Sequence, residues 1–172
     1  MAADSPPPAP QTPGAAPPAG PGLRPPPDPG FEARVRASFA LQTAMATLGA
    51  RLDAVAPGWV VVLLPHADHL SQQHGFLHAG IVAAALDSAC GYAASTMMPA
   101  DAGVLTIEFK INLLAPARGP LLRCEGRLVK PGRTISVAEG QAWQTGVDGQ
   151  PQLVATLSAT LMTVTGRDGV RR

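Results

Sequence analysis

Residues 79–98 (AGIVAAALDSACGYAASTMM) are small or apolar at almost every position, with Asp87 as the one charged residue. Val82, Leu86, Ala89 and Ala93 fall on one helical stripe, yet the other faces are apolar or small too. A helix without a polar face must be covered on all sides. The stretch has the length of a membrane span, but a carboxylate near mid-bilayer costs roughly 2.5–3.5 kcal/mol. Much of the apolarity is alanine, and no basic cluster flanks it. A buried central helix is therefore expected, and the rest of the chain must wrap it.

The remaining patterns supply the wrapping. Val35, Phe39, Leu41, Met45 and Leu48 predict one helix over 32–48, stopped by Gly49. Residues 50–56 and the apolar run 59–64 (WVVVLL) read as strands about a Pro57-Gly58 turn. Residues 65–78 are polar and irregular and hold all four histidines. After Pro99 the period becomes two. Residues 103–114 set Ile107, Phe109, Ile111 and Leu113 opposite Thr106, Glu108, Lys110 and Asn112. Strands follow at 121–129, 133–143 and 153–164. Alternation implies a sheet with one covered face. The order predicts an α+β fold, an antiparallel sheet around the central helix.

Both ends differ from this core. The first 30 residues hold twelve of the nineteen prolines and only three charged groups, Asp4, Arg24 and Asp28. Such composition predicts a disordered, extended tail over 1–30, a single domain over 31–166 and a flexible C-terminus at 167–172. The tail lacks the basic start and apolar core of a secretory signal, and the early arginines of a transit peptide. A formal charge of +1 leaves no nucleic-acid footprint, and no block of like charge suggests a membrane anchor. Cys90 and Cys124 are far apart and fit reduced thiols in a cytoplasmic protein.

Asp87 carries the functional question. A buried carboxylate must be paired, protonated or placed at a site, and apolar surroundings raise its pKa toward the range useful to a general base. A structural role, capping a backbone donor or facing a solvent channel, is equally open on spacing alone. The preceding loop adds to the picture, with Gln72, His74, Gly75, His78 and Gly80 just ahead of the helix start. Free N–H groups there suit a carbonyl oxygen gaining negative charge, and a glutamine amide can add a donor. The histidines at 66, 69, 74 and 78 do not match a helical HExxH, so no metal is expected. Cys90 reads as core packing, and Trp59, Tyr92 and Trp143 as core or interface residues.

Gln72, His78, Gly80 and Asp87, followed by TIEFKINLLAP (106–116) and KPGRT (130–134), resemble the PaaI-type (phenylacetic acid degradation protein-like) branch of the hotdog thioesterases. The resemblance runs from about residue 37 to 164. It implies an acyl-CoA thioesterase with coenzyme A as part of the substrate and no separate cofactor. Asp87 matches the acid that activates water or attacks the thioester. Ala79 takes the position whose N–H polarises the carbonyl, Gln72 assists, and His78 orients the loop. Thr106 falls where relatives hold a water-positioning hydroxyl. Lys130 and Arg133, with Gly80, are candidate coenzyme A contacts, or Lys130 and Arg133 merely a solvated turn. The resemblance further implies a homodimer, or a homotetramer formed by two such dimers, with each site built from two chains. One departure stands out, since the family's two glycines after the histidine are here Ala79-Gly80. A non-catalytic acyl-CoA-binding hotdog module is the competing function. A hotdog dehydratase would need an aspartate–histidine arrangement that the sequence lacks.

Overall fold

The computed structural model describes residues 23–166. Phe31–Ala40 forms α1 and Thr43–Thr47 forms the short α2. The sequence predicts one helix here, but the chain breaks at Leu41-Gln42, where Gln42 is extended (φ −77°, ψ 93°). The break lets Phe39 and Met45 both reach the core, which one straight rod would not require. Gly49 ends the segment at φ +66°, a conformation glycine adopts without strain.

The strands β1 (Arg51–Ala56), β2 (Trp59–Pro65), β3 (Gly103–Leu113), β4 (Leu121–Lys130), β5 (Ile135–Thr145) and β6 (Pro151–Val164) make one antiparallel sheet. Its order is β1-β2-β4-β5-β6-β3. The expected central helix is α3, Ala79–Ser95, followed by turns up to Pro99. It lies across β2, β4 and β5, with Leu86, Ala89 and Ala93 fully buried beside Val60, Val62, Leu64, Leu122 and Ala138. Burying a leucine of this kind contributes roughly 1.5–3 kcal/mol. The small residues of α3 are a packing requirement, as Gly126 on β4 demonstrates. A Cβ there would lie 2.2 Å from the carbonyl oxygen of Ala89, so helix and sheet meet backbone to backbone.

Two devices fix the end of α3. Thr96 accepts from the Gly58 N–H through Oγ1 at 2.7 Å, tying the helix end to the β1–β2 turn. Arg34 on α1 donates to the carbonyls of Ser95 (3.0 Å) and Met98 (3.2 Å), satisfying acceptors that the helix leaves open. Arg34 also pairs with Asp28 at 2.8 Å, and Leu23 packs on the core beside Gly58. Part of the segment expected as a free tail thus makes tertiary contacts, from Leu23 to Gly30. Residues 1–22 and 167–172 lie outside the described residues. Among the described residues no helix is long and apolar enough to cross a membrane.

The strand β3 departs from the expected alternation. Its pairing with β6 shifts register between Thr106 and Glu108, so Ile107 is an extra, bulged residue. Phe109, Ile111 and Leu113 face the core side opposite Ala159, Leu157 and Ala155, while Glu108, Lys110 and Asn112 take the outer face. Thr106 pairs with Leu161, a fully buried residue, and so shares the inner face with Phe109 rather than the outer face with Glu108. The expected partition of this strand holds from Glu108 to Leu113 and is corrected at Thr106 and at the bulged Ile107. A bulge of this type re-aims the side chains on either side of it.

Candidate active site

Asp87 lies on the face of α3 turned toward the beginning of β3. Its Oδ1 accepts a hydrogen bond of 2.7 Å from the Thr106 hydroxyl, the group that the bulge turns inward. Asp87 is half-buried and makes no ion pair among the described residues. Burial pushes its carboxyl above the ordinary value of 3.8, and the Thr106 hydrogen bond opposes that rise. The result is an ionisable, uncompensated oxygen acceptor beside open space, the condition a general base or nucleophile needs.

That space is a groove of about 670 Å³ between α3, the start of β3 and the α1–α2 segment. Asp87, Gly91 and Tyr92 line it from α3, Thr106 from β3, and Ser38 and Gln42 from the opposite wall. Ser38 Oγ lies 3.3 Å from the Tyr92 hydroxyl, and Ser88 donates to Gln42 Oε1 at 3.3 Å. Sequence reasoning missed Arg34, Ser38 and Gln42, because only the fold of α1 over α3 brings them to the groove; Gly91 could have been found from its place one helical turn beyond Asp87. Cys90 points the other way, into the core, and burial pushes its thiol far above the usual range. Cys124 is likewise buried and pushed up to about 12, so neither thiol is an available nucleophile.

The other expected residues gather elsewhere. His78 caps α3, with Nδ1 accepting from the Gly80 N–H at 3.0 Å. His78 N–H in turn donates to the Leu70 carbonyl at 2.9 Å, holding the loop against the short 3-10 turn Asp68–Leu70. With Gly80 taken by the cap, Ala79 carries the exposed N–H at the helix start that donates to nothing among the described residues. Gln72 Oε1 accepts from the His74 N–H, which leaves the Gln72 amide nitrogen to donate outward. Gln72, His78 and Ala79 line a second groove of about 540 Å³, with Val82 and the β3 end at Leu113 and Leu114. Asp87 is eight residues beyond Ala79 on the same helix, about 12 Å along its axis at 1.5 Å per residue. Within one chain the acid and the free N–H therefore occupy separate grooves.

Comparison with known proteins places the chain in a family. The thioesterase superfamily model matches residues 74–148, the span from the Gln72–Gly80 loop through α3 to the end of β5. A thioesterase family protein from Silicibacter pomeroyi is 52% identical, and the match covers 80% of this chain and all of that one, with a TM-score of 0.77. The chain belongs to the thioesterase superfamily. Its hotdog fold is shared with the Escherichia coli PaaI protein of the phenylacetic acid degradation operon, at TM-score 0.70 and 16% identity over 79% of this chain and 94% of that one. A provisionally named esterase of Halobacterium salinarum is 32% identical over 97 residues, 54% of this chain. The chain spans 64% of the length of that curated relative.

Against this family background, Lys130 and Arg133 stand apart from both grooves. They sit exposed at the β4–β5 turn, and neither makes an ion pair among the described residues. Arg133 borders a shallow depression with Pro99 and Thr163 near the end of α3. The four histidines are dispersed, with His66 Nε2 against the Gly75 carbonyl at 3.1 Å and His78 spent on the cap. No group of three or more His, Cys, Asp or Glu among the described residues is placed to hold a metal ion.

Proposed function

We propose that this chain hydrolyses acyl-CoA thioesters, in the manner of PaaI-like enzymes, with Asp87 as general base or nucleophile. One observation carries the reading, the half-buried Asp87 carboxylate that faces an open groove with Thr106 as its hydrogen-bond donor. A module that only binds acyl-CoA gains nothing from a carboxylate whose ionisation is opposed by burial. In the base route Asp87 takes a proton from water, and the hydroxide oxygen bonds to the thioester carbon. The C–S bond then breaks, and the thiolate of coenzyme A recovers a proton. Thr106 holds Asp87 in place and can position the water.

The carbonyl oxygen needs a donor as it gains charge. The Ala79 N–H at the positive end of α3 offers one, and the Gln72 amide can assist. His78 fixes the loop that presents them. Because these groups lie about 12 Å from Asp87 along one helix, the site is completed by a second copy. The edge strand β3 supports such pairing. Among the described residues it bonds only to β6, and it contains no proline and exposes Leu105, Ile107, Phe109 and Leu113 by 42–53%. A long apolar edge of this kind calls for a partner. Two chains joined along β3 would set Asp87 of one against the Ala79 N–H of the other, and two such dimers could pair into a tetramer. Lys130 and Arg133 are the cations available to coenzyme A phosphates, Gly80 is a further backbone contact, and reduced buried cysteines suit a cytoplasmic setting.

The test is release of free thiol from a panel of acyl-CoAs. Turnover supports hydrolysis. Saturable acyl-CoA binding without thiol release would support the binding module instead.

A further inference from the structure

Gly91 sits in the interior of α3, where glycine is the least favourable residue other than proline. Other glycines of this core have a packing reason. A Cβ at Gly126 would strike the Ala89 backbone at 2.2 Å, and one at Gly140 would press on Cys90 Sγ at 3.0 Å and Leu86 Cδ2 at 3.1 Å. Gly91 has none. A Cβ there would meet only Val104 Cγ1, at 4.0 Å, an ordinary contact. Its backbone needs no special conformation either, since it is not among the positive-φ glycines. What distinguishes the position is the groove. Gly91 lines it one helical turn beyond Asp87, with Tyr92 beside it and Ser38 on the opposite wall.

We infer that Gly91 determines acyl-group size, its missing side chain keeping open the part of the groove that receives the acyl group beyond the thioester at Asp87. The inference rests on the proposed hydrolysis. The thioester carbon must come within reach of Asp87, so the groove wall one turn away, about 5–6 Å along the helix, meets the acyl chain several carbons beyond it and lies past the methyl of an acetyl group. A side chain at 91 would fill that volume and leave the reacting atoms untouched. The selection is therefore steric and graded by side-chain size. The Ser38–Tyr92 hydroxyl pair at 3.3 Å stands beside the same stretch and remains in place.

The experiment compares the parent with Gly91→Ala and Gly91→Leu on acetyl-, butyryl-, hexanoyl-, octanoyl- and phenylacetyl-CoA. For acyl groups larger than butyryl, Gly91→Ala should lower kcat/KM about tenfold, and Gly91→Leu further, because a pocket discriminates one methylene by this order. Acetyl-CoA should be turned over within about twofold of the parent by the Ala variant, since its methyl stops short of the filled volume. The thermal midpoint of Gly91→Ala should not fall, because alanine suits a helix interior better than glycine. That readout separates a filled pocket from a damaged fold. An equal loss on every acyl group, or no loss on any, overturns the inference while leaving hydrolysis intact. A folded parent that releases thiol from none of the series overturns the proposed hydrolysis, and this inference with it.

Discussion

Thr106 donates to Asp87 at 2.7 Å because a bulge at Ile107 turns it onto the inner face of β3. In a regular strand Thr106 would share the outer face with Glu108 and Lys110, away from α3. The bulge thus couples the start of an edge strand to the one acid of the central helix.

This pair makes the pH profile diagnostic. The hydrogen bond from Thr106 favours the ionised carboxylate and holds the Asp87 pKa down against burial. Thr106→Val removes the donor, so the Asp87 pKa rises and the acid limb of kcat/KM moves to higher pH. Turnover at neutral pH should fall about tenfold, the scale of one hydrogen bond to a charged group. Thr106→Ser should restore both. An acid limb that stays put in Thr106→Val would remove the pair from the chemistry.

Stability offers a second reading of the same residue. Burial raises the folded-state pKa of Asp87 above 3.8, its ordinary value. Below the ordinary value the group is neutral in both states and costs nothing. As pH rises through the folded value, ionisation penalises the folded chain alone, and stability is lost. Asp87→Asn should therefore melt higher than the parent at pH 7, and the gap should narrow as pH is lowered toward the ordinary carboxylate value. A lower midpoint at pH 7 would mean that Asp87 is a structural residue.

Much of the architecture was legible because it rests on periodicity. The all-apolar character of 79–98 demanded a covered helix, and α3 is that helix. Period-two patterns located β3 to β6 within a few residues. What periodicity could not carry is register and approach. The bulge at Ile107 leaves no mark in the alternation, so Thr106 was expected on the wrong face of β3, although the family resemblance had named it. The break at Leu41-Gln42 hides within a helical apolar spacing, and it is this break that brings Gln42 to the groove. Leu23 and Asp28 lie in proline-rich sequence, where composition outweighs the single contacts that dock them. The separation of Asp87 from the Ala79 N–H follows from helix rise alone. The proposal that two chains share the site rests on the resemblance and on the open edge of β3.

The proposal of a shared site can be tested by subunit exchange. Ala79→Pro removes the free N–H, and proline is well suited to the first position of a helix. It also restricts the preceding residue to extended backbone, which His78 already adopts at φ −61°, ψ 139°. The variant should fold and lose roughly 100- to 1,000-fold in turnover, the scale of one oxyanion donor. Mixed with inactive Asp87→Asn and allowed to exchange, it should recover about a quarter of parental activity, since half the dimers are mixed and hold one intact site. A site contained in one chain would return no activity.

The central claim is that Asp87 performs thioester hydrolysis, and thiol release by the parent and by Asp87→Asn, measured side by side on the same acyl-CoA panel, tests it most directly. Asparagine keeps the shape and can still accept from Thr106, but it can neither take a proton nor attack. Parental turnover with a loss of at least about a hundredfold in the folded variant is the predicted result. Near-parental thiol release by folded Asp87→Asn would contradict it.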